Sequence, residues 1–167
     1  MRKLKKYLAG ILAIVLLIGL DQMTKYWVVT HLKGKSSFVI LEGVFELIYV
    51  ENRGAAFGIF QNQRWLFLIL TLVIIAGVFY VMLHLPQERR FFPVKVLAVL
   101  ILSGAVGNMI DRIVYGYVID FFYFSLINFP VFNVADCYIT ISCVILLILA
   151  FYYTEEDLDL IWPLGKK

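Results

Sequence analysis

Two aspartates, Asp120 and Asp136, lie sixteen positions apart in a stretch whose other residues are mostly apolar or aromatic. A carboxylate at membrane depth costs roughly 2.5–3.5 kcal/mol on insertion scales. Two carboxylates that lie close together cannot both ionise easily, so one of them stays protonated near neutral pH. Such a pair can serve as general base and general acid in amide hydrolysis without a metal or a covalent intermediate.

Each aspartate also has a structural interpretation. Asp136 precedes an apolar run and could be only a helix N-cap, whereas Asp120 could be a solvated loop residue. The pair would have no catalytic role only if both aspartates had these structural roles. We therefore favour the acid–base interpretation.

Other polar residues lie in apolar runs. Asp21 and Lys25 are four positions apart, so on a helix they either neutralise each other or position a substrate. Asn108, Asp111 and Arg112 share one helical face by their spacing. We expect Arg112 to satisfy a carboxylate or backbone carbonyls.

The composition is that of a membrane protein, since 62% of the 167 residues are hydrophobic and only 16% are charged. The sequence predicts a mainly α membrane protein with one integral membrane domain over residues 1–167. A span needs about 20 apolar residues, and four runs suffice, the last marginally: residues 8–29, 65–84, 94–115 and 137–153. The first run has no signal-peptide cleavage site and is expected to be retained.

The basic residues cluster at the ends of these runs, which argues against a nucleic-acid partner despite the net charge of +3. Nine of them fall on one side: Arg2, Lys3, Lys5, Lys6, Arg89, Arg90, Lys95, Lys166 and Lys167. Four fall on the other, among three glutamates: Lys33, Lys35, Arg53 and Arg64. The positive-inside rule then predicts that both termini are cytoplasmic.

The external segment of about residues 36–60 contains two β-prone runs split by Glu42 and Gly43, which predicts a hairpin or small cradle on the membrane surface. In this topology the polar residues of the first, third and fourth runs, together with Asn52, all lie near the outer membrane boundary. This convergence on one depth indicates a single site.

Other chemistries fit poorly. His31 and His84 fall on opposite sides of the membrane, and no metalloprotease or phosphate-binding motif is present. The main alternative is a small proton-coupled transporter component, because intramembrane charges also serve transport. A transporter relay would extend through the membrane and inverted repeats would be expected. A non-catalytic assembly protein would not explain the carboxylates.

Five blocks make the chain resemble the bacterial lipoprotein signal peptidases (signal peptidase II), which are membrane aspartic peptidases. The blocks are Asp21–Lys25, Glu51–Phe57, Gly107–Arg112, Val118–Phe121 and Phe129–Asp136. The resemblance implies that Asp120 and Asp136 are catalytic. It also implies a fold of four helices with an external β-cradle.

The resemblance further implies a set of residues that support the active site: Asp21, Lys25, Asn52, Gly54, Asn108, Arg112 and Asn133. We add Asp111 to this set because it shares a helix face with Asn108 and Arg112. The implied substrate is a prolipoprotein, cut before a diacylglyceryl-modified cysteine at the outer leaflet of the bacterial cytoplasmic membrane. We expect membrane lipids as neighbours, with no cofactor, metal or obligate protein partner. Phe121–Phe132 and Gly54–Phe60 are expected to be a lipid-facing wall and a lid.

Overall fold

The computed structural model describes residues 2–54, 60–154, 156–157 and 160, with the backbone alone for residues 2–6. Its main elements overlap each predicted apolar run. The helices are α1 (Arg2–Leu32), α2 (Arg64–His84), α3 (Phe92–Val114) and α4 (Val134–Ala150). The strands are β1 (Phe38–Leu41), β2 (Phe45–Asn52) and β3 (Val118–Tyr123), and short 3-10 turns cover Arg89–Phe91 and Ser125–Ile127.

Three helical segments are long and apolar enough to cross a membrane, judged by length and composition alone: Tyr7–Leu32, Arg64–His84 and Arg89–Val114. Helix α4 is apolar but has only 17 residues. At 1.5 Å per residue it is about 26 Å long, somewhat less than a hydrocarbon core of about 30 Å. A mainly helical fold with three candidate spans and a small sheet is therefore established.

Helix α3 is central, since it packs against α1, α2 and α4. Two glycines allow the close approach. A Cβ at Gly104 would lie 2.5 Å from the carbonyl oxygen of Ala135 in α4, and one at Gly107 would lie 2.6 Å from Oδ2 of Asp21 in α1. Such distances are shorter than van der Waals contact, so both glycines are needed where the polar residues of the three helices meet.

The predicted hairpin is present, with β1 antiparallel to β2 and Gly43 in the turn at φ 69°. The sequence analysis did not predict β3, which follows α3 and pairs antiparallel with β2. Four successive residues of β3 are buried. The strand therefore does not show the polar–apolar alternation by which a half-buried strand is recognised in a sequence. The pairing sets Val50 opposite Asp120.

The sheet rests on the C-terminal end of α1. Val28 and Leu32 of α1 form a buried cluster with Ile119 and Phe121 of β3. Phe121 is thus 2% exposed, not lipid-facing as predicted, whereas Phe124 and residues 126–129 of that segment are exposed. Of the predicted lid, residues 55–59 lie outside the described residues.

Candidate active site

Asp120 lies in β3 with both carboxylate oxygens engaged. Oδ2 accepts a hydrogen bond from Nδ2 of Asn52 in β2 at 2.8 Å, and Oδ1 accepts one from Nδ2 of Asn133 at 2.6 Å. The residue is 1% exposed. The alternative of a solvated loop residue is therefore wrong.

Asp136 lies in the first turn of α4, where Asn133 is the N-cap. The two form a capping box: the backbone N–H of Asp136 donates to Oδ1 of Asn133 at 3.0 Å, and the backbone N–H of Asn133 donates to Oδ2 of Asp136 at 3.2 Å. The other oxygen of Asp136 accepts from Nδ2 of Asn108 at 2.7 Å. Asp136 is partly exposed. The alternative of Asp136 as the N-cap is wrong, because Asn133 is the N-cap and Asp136 is the third residue of the helix.

The carboxylates of Asp120 and Asp136, which we call the aspartate pair, are held by three asparagines. Asn133 caps the helix that carries Asp136, donates to Asp120, and also donates to Oδ1 of Asn108 at 3.1 Å. Asn52 is fixed in turn by the backbone N–H of Gly54, which donates to its Oδ1 at 3.0 Å. Neutral amides thus hold both aspartates.

The environment raises the pKa of Asp120 to about 7. Burial is the largest cause, and the negative charge of Asp136 adds to it. The hydrogen bonds from Asn52 and Asn133, and the charge of Lys25, act in the opposite direction but do not cancel the effect. Asp120 therefore retains a proton at pH values where an ordinary aspartate has lost it.

Behind the pair lies a second group of buried charges, the charge cluster, formed by Asp21, Lys25 and Asp111. Nζ of Lys25 lies 2.9 Å from Oδ2 of Asp21 and 2.9 Å from Oδ2 of Asp111. The same ammonium donates to Oδ1 of Asn108 at 2.9 Å. The helical pairing of Asp21 with Lys25 is present as its spacing indicated, and α3 adds a second carboxylate.

The charge cluster also fastens backbone segments from distant parts of the chain. Oδ1 of Asp21 accepts the N–H of Ala135 in α4 at 2.9 Å, and Oδ2 of Asp111 accepts the N–H of Ile119 in β3 at 3.1 Å. Gln22, which the sequence analysis did not single out, donates to Oδ1 of Asp111 at 2.9 Å. Its place between Asp21 and Lys25, within one of the blocks, was the available signal.

Arg112 is close to the site but is held differently from the expectation of a carboxylate partner. Its Nη1 lies 3.5 Å from the carbonyl oxygen of Asn108, and its guanidinium lies 4.8 Å from the ring centre of Phe67. Among the residues that the structure describes, no carboxylate lies within 4.0 Å of its nitrogens. The carbonyl contact agrees with the other half of the expectation.

A third set of charges lies on the outer surface, next to Asn52 in sequence. Glu51 accepts hydrogen bonds from Lys33 at 3.2 Å, Arg53 at 3.0 Å and the hydroxyl of Tyr49 at 3.0 Å. Although burial raises the pKa of Glu51, these hydrogen bonds outweigh it and lower the pKa to about 2. The cluster fastens the end of β2 to the residue that follows α1.

Comparison with known proteins identifies the family of the chain. The model of the signal peptidase II (SPase II) family matches residues 13–152. The chain belongs to the signal peptidase II family. The lipoprotein signal peptidase of Clostridioides difficile (strain 630) is 44% identical over 148 residues, covering 88% of this chain and 97% of that protein. That of Streptococcus thermophilus (strain CNRZ 1066) is 42% identical over 145 residues, covering 87% and 92%.

Solved structures agree with the family assignment. A bacterial membrane enzyme determined by the in meso method at 2.3 Å resolution matches with a TM-score of 0.77 and 28% identity, covering 89% of this chain and 91% of that one. A second, at 1.9 Å resolution, has a TM-score of 0.76 and 31% identity, covering 87% and 94%. These relationships set aside the transporter alternative.

Proposed function

We propose that this protein is a membrane aspartic endopeptidase that removes the signal peptide of prolipoproteins, cutting before a diacylglyceryl-modified cysteine. Membership of the signal peptidase II family supports the substrate class. The observation that carries the chemistry is the aspartate pair, two carboxylates bridged by Asn133 and held by neutral donors.

The different surroundings of the two carboxylates support an assignment of roles. Asp120 is fully buried and has a pKa of about 7, so it is the proton donor. Asp136 is partly exposed, and donors face both of its oxygens, so we assign it the role of the base that contacts water. Asp136 takes a proton from a water molecule, and the water oxygen attacks the scissile carbonyl. Asp120 donates its proton to the carbonyl oxygen as the tetrahedral intermediate forms.

Collapse of that intermediate completes the reaction. The carbon–nitrogen bond breaks, and the proton that Asp136 took from water goes to the leaving amine. Asp120, which is now ionised, takes back a proton from a hydroxyl of the intermediate as the carbonyl re-forms, so both carboxyl groups return to their starting states. The amides of Asn52, Asn108 and Asn133 keep the carboxylates in place through both steps. The remaining residues of the support set act at a distance: Asp21, Lys25, Gly54, Asp111 and Arg112.

The proposed topology has four spans, both termini in the cytoplasm and the aspartate pair at the outer leaflet. Helix α4 is the fourth span, and the turn at residues 151–153 extends its apolar length. The exposed apolar residues of β1 and of the segment after β3 favour contact between the sheet and the membrane surface. The whole chain, residues 1–167, then forms one integral membrane domain.

Cleavage of a defined substrate tests the function. Purified protein in detergent is incubated with one preprotein in two forms, with and without diacylglycerol on the junction cysteine. We expect a released signal peptide from the lipid-modified form alone, with no loss of activity in EDTA or phenanthroline. Equal cleavage of both forms would contradict the substrate class, and loss restored by zinc would contradict the two-aspartate mechanism.

Cysteine labelling tests the topology. Single cysteines are introduced at Ser36 and at Gln87 in a variant whose Cys137 and Cys143 are replaced by alanine. With an impermeant thiol reagent added outside intact cells, Ser36→Cys should react and Gln87→Cys should not. The reverse pattern would place the aspartate pair at the inner leaflet.

A further inference from the structure

The charge cluster and the aspartate pair meet at one side chain, Asn108. Its Oδ1 accepts from the ammonium of Lys25 at 2.9 Å and from Nδ2 of Asn133 at 3.1 Å. Its Nδ2 donates to Oδ1 of Asp136 at 2.7 Å. The amide therefore has donors on one side and a carboxylate on the other.

Only one direction of this amide satisfies all three neighbours. A lysine ammonium has three donors and no acceptor, and an ionised carboxylate only accepts. If the Asn108 amide were reversed, its NH2 would face two donors and its oxygen would face Asp136. Asn133 cannot reverse to compensate, because its own Oδ1 accepts the backbone N–H of Asp136 at 3.0 Å.

Lys25 is the neighbour that leaves the least freedom. Its side chain is 2% exposed, and its three donors go to Asp21, Asp111 and Asn108. The two carboxylates would hold the ammonium even without Asn108. The position of the ammonium is thus set by the two carboxylates, and the Asn108 amide takes the direction that places its oxygen towards the ammonium.

We propose that Lys25 is a positioning residue that fixes the direction of the Asn108 amide and thereby keeps a hydrogen-bond donor on Asp136. This role is additional to neutralising Asp21 and Asp111. It rests on the proposed function, because it matters only if Asp136 must be ionised to activate water.

The direction of the amide has a chemical consequence. An N–H directed at Asp136 favours the carboxylate, and an oxygen directed there favours the protonated acid. Reversal would require a higher pH to ionise the base. The other charged groups facing Asp136 are Asp120 from β3, Arg112 from α3, and Asp21 and Lys25 from α1. Asp111 of α3 is paired with Lys25.

Because the charge of Lys25 itself acts on this site, the test keeps the net charge of the cluster constant. The variant Lys25→Met/Asp111→Asn loses one positive and one negative charge. It is compared with Asn108→Leu and with the triple variant that combines all three changes. For each, kcat, KM and the pH profile of cleavage are measured on lipid-modified preprotein, and thermal unfolding checks the fold.

We expect Lys25→Met/Asp111→Asn to lower kcat about 10- to 100-fold with little change in KM, as for misplacement of a catalytic group. The acid limb of the profile should move up by about one pH unit. Asn108→Leu should do the same, and the triple variant should be no worse, because the two changes remove one interaction. Asp111→Asn alone and Lys35→Met, a change at an exposed lysine, should not raise the acid limb.

A second variant covers the case in which Asn108→Leu does not fold. Asn108→Asp can still pair with Lys25 but turns an oxygen towards Asp136, so it should raise the acid limb with Lys25 intact. Effects that multiply in the triple variant, or a lower melting temperature with an unchanged pH profile, would overturn the proposal and leave Lys25 a structural residue. If Asp136→Asn cleaved at the wild-type rate, the proposed function itself would fail, which is a separate outcome.

Discussion

The charge cluster and the aspartate pair each contain two buried or partly buried carboxylates beside α3, but their partners differ. Asp21 and Asp111 share an ammonium at 2.9 Å. Asp120 and Asp136 receive hydrogen bonds from amides at 2.6–2.8 Å, and no cation lies within 4.0 Å of either among the residues that the structure describes.

This difference separates carboxylates that hold the fold from carboxylates that can exchange protons. A carboxylate paired with a buried ammonium is part of the ion pair that fastens the helices, and breaking that pair leaves an uncompensated buried charge. A carboxylate held by amides can be ionised or protonated, because an amide N–H does not require a full negative charge. Removing a charge should therefore affect turnover at the aspartate pair, whereas at the charge cluster it should lower stability in addition to the effect of Lys25 on the Asn108 amide.

The largest expected effect is at the aspartate pair. Asp120→Asn and Asp136→Asn should each lower the cleavage rate about 10³-fold or more, since asparagine has the shape of aspartate but cannot exchange the proton. The double variant should be no worse than either single one. Melting temperatures should not fall below the wild-type value. A folded Asp136→Asn protein that still cleaves well would reduce Asp136 to part of a helix cap.

Removal of a charge from the charge cluster should lower the stability of the protein. Lys25→Met leaves Asp21 and Asp111 buried without a counter-ion, which should lower the free energy of unfolding by about 3–5 kcal/mol. Denaturant titration in detergent measures this loss. Lys33→Met, which removes an exposed lysine, is the matched control and should change stability little. Equal stability of the two variants would show that the cluster does not hold the helices together.

Asn52 tests whether the amides act on the aspartate pair. Asn52→Ala deletes one of the two amide donors to Asp120 and should slow turnover by about 10- to 100-fold, with measurable activity left. Because this hydrogen bond lowers the pKa of Asp120, its loss should move the alkaline limb to higher pH. A pH–rate profile over both limbs measures the loss of turnover and the shift of the alkaline limb. If the variant is as inactive as Asp120→Asn, Asn52 takes part in the chemistry.

The pH dependence of stability distinguishes the two regions with a smaller signal. The pKa of Asp120 is about 7 in the fold and about 3.9 in an unfolded chain. The folded state therefore binds the extra proton between these values, and stability falls as the pH rises through that window. Asp120→Asn should remove this fall. The free energy of unfolding of the variant, relative to that of the wild type, should therefore increase from about pH 4 to pH 7. A constant difference across that window would mean that Asp120 has an ordinary pKa.

The smallest effect is expected at the surface cluster. Glu51→Gln breaks ion pairs to Lys33 and Arg53, both of which are exposed. Exposed pairs contribute at most about 1 kcal/mol, so unfolding should shift by no more than that and kcat should stay within a few fold. A large loss of activity would mean that Glu51 sets the position of Asn52, its neighbour in β2.

Features that depend on neighbouring residues in the chain were predictable from the sequence. Helical spacing indicated the pairing of Asp21 with Lys25, and Gly43 between two β-prone runs indicated the hairpin. Contacts between distant segments were not predictable. Spacing along α1 cannot show that Asp111 of α3 shares the ammonium, nor that β3 joins a hairpin some seventy residues earlier in the chain.

Asn133 shows why the site itself was only partly predictable. Resemblance marked it as support, but the sequence suggested Asp136 as the N-cap, whereas the structure has Asn133 in that position. The same side chain also donates to Asp120 and Asn108, and this third role depends on where β3 and α3 lie. The placement of Asp120, Asp136 and the amides as catalytic residues stays a prediction until the variants are measured.

The hydrogen bond from the N–H of Ala135 to Asp21 joins residues 114 positions apart. Asp21 belongs to the first helix that a ribosome would deliver to the membrane, and Ala135 to α4, the last of the four. The N-terminal turn of α4, with Asn133 and Asp136, can thus be fastened only after nearly all of the chain has been synthesised and inserted. A nascent or truncated chain would have its first aspartates in the bilayer but no working protease. Proteolytic activity would then begin only once α4 is in place.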